Sequence, residues 1–189
     1  MSKRILAAML TFVLLATPAA AQDWGRSTSD LDVPLARAED VRSIDAIITA
    51  VYDVISGPAG EARDWDRFRS LFLPEARLVP SGQAPDGTTR YLVWSPEEYI
   101  ATAGGQLEAN GFFETEAHRV EERFGHIAHV FSTYDSYRTA DEMEAGRPFM
   151  RGINSFQLLF DGGRWWVLQV YWQAESPEVP IPERYLGEG

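Results

Sequence analysis

The chain has 189 residues, 17 basic against 28 acidic for a formal net charge of -11, no cysteine, and a composition that is 45% hydrophobic and 12% aromatic. A surface of that sign repels nucleic acid and anionic membranes. The lack of cysteine excludes disulfides, thiol nucleophiles and thiolate metal sites, and Lys3 as sole lysine leaves no residue for a Schiff base or a P-loop beyond the first few positions.

Residues 1–21, MSKRILAAMLTFVLLATPAAA, place Lys3 and Arg4 ahead of an apolar run and end in small residues, the order of a secretory signal peptide cleaved after Ala21. The run from Ile5 to Ala16 is too short to span a bilayer. The expected location is therefore outside the cytoplasm, in a bacterial periplasm, with no membrane attachment after cleavage. Loss of Lys3 and Arg4 takes the 17 basic residues to 15 against 28 acidic, a net charge of -13. About 168 residues then suffice for one domain that buries roughly two-thirds of its unfolded surface.

Residues 22–38 show no apolar period and read as an extended leader to a domain over 39–175. In DVRSIDAIITAVYDVIS, Val41, Ile44, Ile47, Ile48, Val51 and Ile55 fall at helical spacing, with Tyr52 beside the stripe and Gly57-Pro58 as the stop. A second short helix is predicted in DWDRFRSLF behind an Asp64 cap. SPEEYIATAGGQLEANG opens a third with a capping box, Ser95 and Glu98, and Pro96 at the first helical position. Between them, ARLVPSG and TTRYLVW read as short strands. FFETEAHRVEER, IAHVFSTYDSYRT, PFMRGINSFQLLF and RWWVLQVYW then read as four long strands separated by turn signals, followed by a proline-rich tail, 176–189, expected to strap the surface.

The last strand does not alternate. With a two- or four-residue turn at Gly162-Gly163, Phe160 pairs with Trp165, Leu158 with Val167, Phe156 with Gln169 and Asn154 with Tyr171, leaving Trp166, Leu168, Val170 and Trp172 on the other face. Three helices can cover one of these faces. The second is expected to form a homodimer, packed sheet against sheet.

This order of elements, with FLPEARLVPSG, GHIAHVFSTY, GINSFQLL and RWWVLQVYWQ, resembles the nuclear transport factor 2-like (SnoaL-like) superfamily and its small uncharacterised bacterial secreted members, over residues 38–175. The resemblance implies an α+β fold: a curved, antiparallel-rich sheet wrapped around three N-terminal helices as a cone-shaped, cystatin-like barrel. It also implies that the sheet face toward the helices lines a pocket for a small apolar or aromatic molecule. By the pairing above, Asn154, Phe156, Gln169 and Tyr171 belong to that lining, Trp165 to its apolar end, and Tyr52 is a candidate tyrosine. No cofactor is expected.

Three histidines are available for acid-base work. A two- or four-residue turn at Gly125 sets Glu122 opposite His129 and His118 opposite Thr133, with Glu116 and Asp135 on the same face. Paired histidines with an asparagine resemble the scytalone-dehydratase-like branch, onto which His118, His129 and Asn154 map by strand position. A steroid-isomerase-like mechanism needs a carboxylate base in an apolar pocket and tyrosine donors, for which Asp135 and Tyr171 are nominated. His129 and Asp135 are thus the catalytic candidates. Against them stands a charged outer strand that protects a sheet edge, and that plainer reading is also preferred over a zinc site built from His118, His129, Glu116 and Glu122, so no metal is expected. The functional readings are a pocket protein acting as a cofactor-free lyase or isomerase, and a non-catalytic dimerisation or protein-interaction module.

Overall fold

The computed structural model describes residues 25–84 and 86–187, so the expected signal peptide lies outside the described residues. Residues 25–30 hold one 3-10 turn, Thr28–Asp30. From Leu31 onward the chain is an α+β unit.

Helix α1 is Ala38–Val41 and α2 Ile44–Ile55; Ser43 starts α2 by accepting from Ala46 N at 3.1 Å. The predicted stripe of α2 is buried, Tyr52 with it. Asp64 caps α3, Trp65–Leu71, and the capping box with Pro96 starts α4, Pro96–Tyr99. At the glycine pair the rod widens into a π-helical turn, Ile100–Gly104, before α5, Gly105–Asn110, ends at Gly111 with φ 71. Buried Arg63 closes the helical layer. Its guanidinium donates to the Ile55, Gly57 and Leu107 carbonyls at 3.1, 2.6 and 3.1 Å, capping the end of α2 and tying it to α5.

The six strands are β1 Phe72–Gln83, β2 Thr89–Tyr91, β3 Phe113–Phe124, β4 Ile127–Tyr137, β5 Met150–Phe160 and β6 Trp165–Ala174, in the order β2-β1-β6-β5-β4-β3. All neighbours are antiparallel except β1 and β6, and the sheet stays open, with β2 and β3 as its edges. The helices pack on one face, burying Ile47, Ile48, Phe68 and Leu71 against Val130, Phe156, Leu158, Trp165 and Val167. A short helix α6, Ala140–Glu144, stands where the sequence suggested only a turn; Thr139 caps it by accepting from Glu142 N at 3.1 Å.

Two bulges decide which side chains face the helices. In β6 the pairing starts as expected, Phe160 with Trp165 and Leu158 with Val167, but Leu168 is an extra residue. Beyond it Phe156 pairs with Val170, Ser155 with Tyr171 and Asn154 with Trp172, which corrects the pairings of Phe156 with Gln169 and of Asn154 with Tyr171. In β3, His118 pairs with Thr133 and Glu122 with His129 as expected, but Ala117 is extra, so Glu116 faces Tyr134 and Glu114 faces Ser136. Glu116 therefore does not share a face with Asp135. A strand has period two, so a single inserted residue moves everything beyond it to the opposite face.

On the outer face the tail runs across β3 and β4. Thr133 Oγ1 donates to the Tyr185 carbonyl, the Tyr185 ring lies 5.0 Å from that of Phe131, and Ile181 is buried with its N–H donating to Glu175 Oε1 at 2.9 Å.

Candidate active-site cavity

Between the helices and the inner face of the sheet lies a cavity of about 270 Å³. Its walls are apolar: Phe68, Phe72, Trp94, Phe112, Phe156 and Trp172 are among the residues that line it. At a liquid-water share of roughly 30 Å³ per molecule, that is room for about nine waters, or a compact one- or two-ring ligand.

Few polar side chains enter this wall. Glu114, at the start of β3, is turned inward by the Ala117 bulge and is part of the cavity lining. Its carboxylate accepts from Ser136 Oγ at 3.0 Å and from Asn154 Nδ2 at 3.2 Å, and no cation pairs with it among the described residues. Burial raises its pKa to about 7, against the downward pull of the Ser136 and Asn154 donors. The cause is desolvation without compensation by positive charge, the condition that keeps a carboxyl poised between its two protonation states near neutrality.

Asn154, inward on β5, donates a second time to the Tyr52 hydroxyl at 3.1 Å, and Tyr52 contacts Ser132 Oγ at 2.7 Å. Tyr134, inward on β4, lines the cavity, and its hydroxyl is buried and, among the described residues, without a hydrogen-bond partner. Burial, and then the nearby charge of Glu114, push its pKa above the usual tyrosine range, so it is a neutral O–H donor. Tyr134 lies across Gly152, where a Cβ would collide with its hydroxyl and with the Gln173 carbonyl. That glycine is what lets the tyrosine lie flat against β5.

The sequence candidates divide between the two faces. Asn154 and Phe156 line the cavity, whereas Tyr52 is not part of its lining and reaches the site only through its hydrogen bond with Asn154. Trp165 points inward but packs in the core beside the cavity, its ring 5.2 Å from that of Phe160. The Leu168 bulge places Tyr171 and Gln169 away from the cavity and substitutes Val170 and Trp172 in its wall. His129 is on the outer face, 3.1 Å from Ser155 Oγ and 5.8 Å from the Phe131 ring. Asp135 is on that face as well, held bidentately by Arg151 at 2.6 and 3.2 Å. The His118, His129, Glu116 and Glu122 set is split by the Ala117 bulge, and among the described residues no cluster of three or more such side chains could hold a metal ion.

Of the two groups with the clearest chemistry, Glu114 does not enter the sequence reading and Tyr134 enters it only as a packing or rim residue of STYDSYRT. The orientation of Glu114 turns on the Ala117 bulge, which no residue in ETEAHRVEE announces.

No protein-family model matches the sequence, and no curated protein matches it either. Solved structures do. LinA matches with a TM-score of 0.52 at 9% identity, over 78% of this chain and 93% of its own. A protein of unknown function with a cystatin-like fold from Nostoc punctiforme gives 0.50 at 12% identity, over 74% and 92%, and an NTF-2-like protein of unknown function from Silicibacter pomeroyi gives 0.49 at 17%, over 71% and 94%. At these identities the likeness is one of fold. Strand order, the helical layer on one face and the likeness to the Nostoc punctiforme protein together identify the chain as an α+β protein with a cystatin-like fold.

Proposed function

We propose that the cavity binds a small apolar or aromatic molecule and that Glu114 moves a proton on it, making the protein a cofactor-free lyase or isomerase. The observation that carries this is a carboxyl that meets no cation among the described residues, in an apolar cavity, with its pKa raised to about 7. In the ionised form it takes a proton from a carbon next to a carbonyl. The C–H electron pair becomes the C=C bond of an enolate, and the carbonyl oxygen takes the negative charge. Tyr134 supplies an unspent O–H to that oxygen. Return of the proton to a different carbon completes an isomerisation; loss of a leaving group from the neighbouring carbon completes an elimination.

Deuterium exchange tests the shared first step without knowledge of the natural substrate. Indan-1-one and 2-tetralone, followed by NMR in D₂O, should exchange their α-protons faster with the wild-type protein than in buffer, and the gain should vanish in Glu114→Gln. An equal gain in both proteins, or none in either across such a panel, removes the catalytic reading and leaves a binding protein.

Export to a periplasm is proposed on residues 1–21 alone. A homodimer through the outer sheet face is proposed on Ile127, Leu168 and Tyr171, which are 59%, 45% and 45% exposed; Trp166 and Trp172, expected there, are 4% exposed and part of the cavity wall respectively. Light scattering on the purified chain decides between dimer and monomer, and a monomer would leave that face to another partner.

A further inference from the structure

The hydrogen bonds that reach Asn154 all run in one direction, and the direction is set at the protein surface. Glu116 is held by Arg119 through Nε at 3.0 Å and Nη2 at 2.7 Å, so its carboxylate is an acceptor, and Ser132 Oγ donates to it at 2.6 Å. A hydroxyl has one proton. The 2.7 Å contact between Ser132 and Tyr52 must therefore be made by Tyr52 donating. The Tyr52 oxygen is left to accept, and Asn154 Nδ2 fills it at 3.1 Å.

The other N–H of the same amide goes to Glu114 Oε1 at 3.2 Å. Both amide protons are then spent. A flipped amide would set Oδ1 against two acceptors, so the chain fixes the orientation without appeal to the amide's own shape. Asn154 Oδ1 is turned away from Tyr52 and Glu114, in a residue that lines the cavity, and no group among the described residues donates to it.

We infer that Asn154 Oδ1 is the cavity's acceptor for a ligand hydroxyl, held in place by the Glu116–Ser132–Tyr52 chain, so that the site selects an apolar-bodied molecule carrying a hydroxyl over the matching hydrocarbon. The inference rests on the ligand-binding reading above and adds the class of ligand to it. A hydrocarbon in this cavity leaves Oδ1 desolvated and unpaired, whereas a hydroxyl satisfies it. That difference separates the two affinities about tenfold or more. Tyr52 has no free proton for a ligand and is a positioning residue. Its oxygen holds one arm of the amide so that the other face stays open.

The test compares 2-naphthol with naphthalene by quenching of tryptophan emission, since Trp94 and Trp172 line the cavity. At about pH 8 the wild-type protein should bind 2-naphthol about tenfold more tightly. Asn154→Leu should bind both alike, and Tyr52→Phe, which keeps the ring but frees the amide, should cut the preference to a few-fold while leaving naphthalene affinity unchanged. Equal wild-type binding of the two probes overturns the inference while leaving the cavity reading intact; failure of both to bind overturns both. A preference that survives Asn154→Leu and disappears in Glu114→Gln assigns the hydroxyl to the carboxylate and also overturns it.

Discussion

Glu114 and Asp135 are carboxylates on neighbouring strands of one sheet, one ladder position apart, and they differ in a single respect that decides what each can do. Asp135 faces outward and meets Arg151 in a two-point contact, in which its charge is compensated. Glu114 faces inward and among the described residues meets neutral donors only, so burial governs it and its pKa climbs to about 7. A carboxylate with a matched guanidinium is a structural tie, and one denied a cation in an apolar wall is a reagent. Residue type says nothing about which is which.

The largest expected effect is on the inner face and needs no charge. Gly152→Ala puts a methyl group against the Tyr134 hydroxyl and a backbone carbonyl that cannot swing aside. Overpacking of this kind costs about 3 kcal/mol, which a urea melt would register as a lower midpoint at unchanged slope. A neutral outcome would mean that Tyr134 does not lie flat on β5, and the cavity geometry would need revision.

Glu114→Gln comes next, and its sign depends on pH. The folded pKa of about 7 exceeds the ordinary glutamate value near 4.5, so between those values the native state holds a proton that the unfolded state has released. Stability from this group is present at low pH and is lost as pH rises through 7. The glutamine variant should match the wild type near pH 5 and exceed it by about 1–2 kcal/mol near pH 8, a figure reduced from the full linkage value because the cavity admits water to the carboxylate. A variant less stable at both pH values would show that Glu114 has a compensating partner after all.

Asp135→Asn should go the other way by a smaller amount. It removes the charge that Arg151 faces, and since the Arg151 side chain is 39% exposed, solvent recovers much of the loss. About 1 kcal/mol of destabilisation is expected at any pH between 5 and 8, with no effect on α-proton exchange. If exchange falls in Asp135→Asn while its fold stays intact, the division between the two faces is wrong.

The elements were legible in the sequence and the faces were not. The α2 stripe, the Ser95–Glu98 capping box, the Asp64 cap and four long strands all announce themselves through spacing and local hydrogen bonds. The first pairs of each hairpin follow from turn length, which is why Phe160 with Trp165 and His118 with Thr133 are found where expected. The site lies beyond a bulge on both hairpins. Ala117 and Leu168 each carry no signature that a period-two reading can detect, and each reverses the strand past it, bringing Glu114 and Trp172 inward and sending Tyr171 out. Asn154 and Phe156 were found because β5, between them, has no bulge of its own.

His129 gives the smallest effect and the sharpest check on that account. By residue type it is the natural general base of this chain, and it sits mid-strand. The structure puts it on the outer face with Ser155 as its only hydrogen-bond contact among the described residues, separated from Glu114 by the thickness of the sheet. His129→Ala should therefore change stability by no more than about 0.5 kcal/mol, as a half-exposed polar substitution does, and should leave deuterium exchange into indan-1-one at the wild-type rate. A large loss of exchange with the fold intact would put the chemistry on the face that the tail crosses, and Glu114 would become a buried acid whose raised pKa serves nothing but the fold.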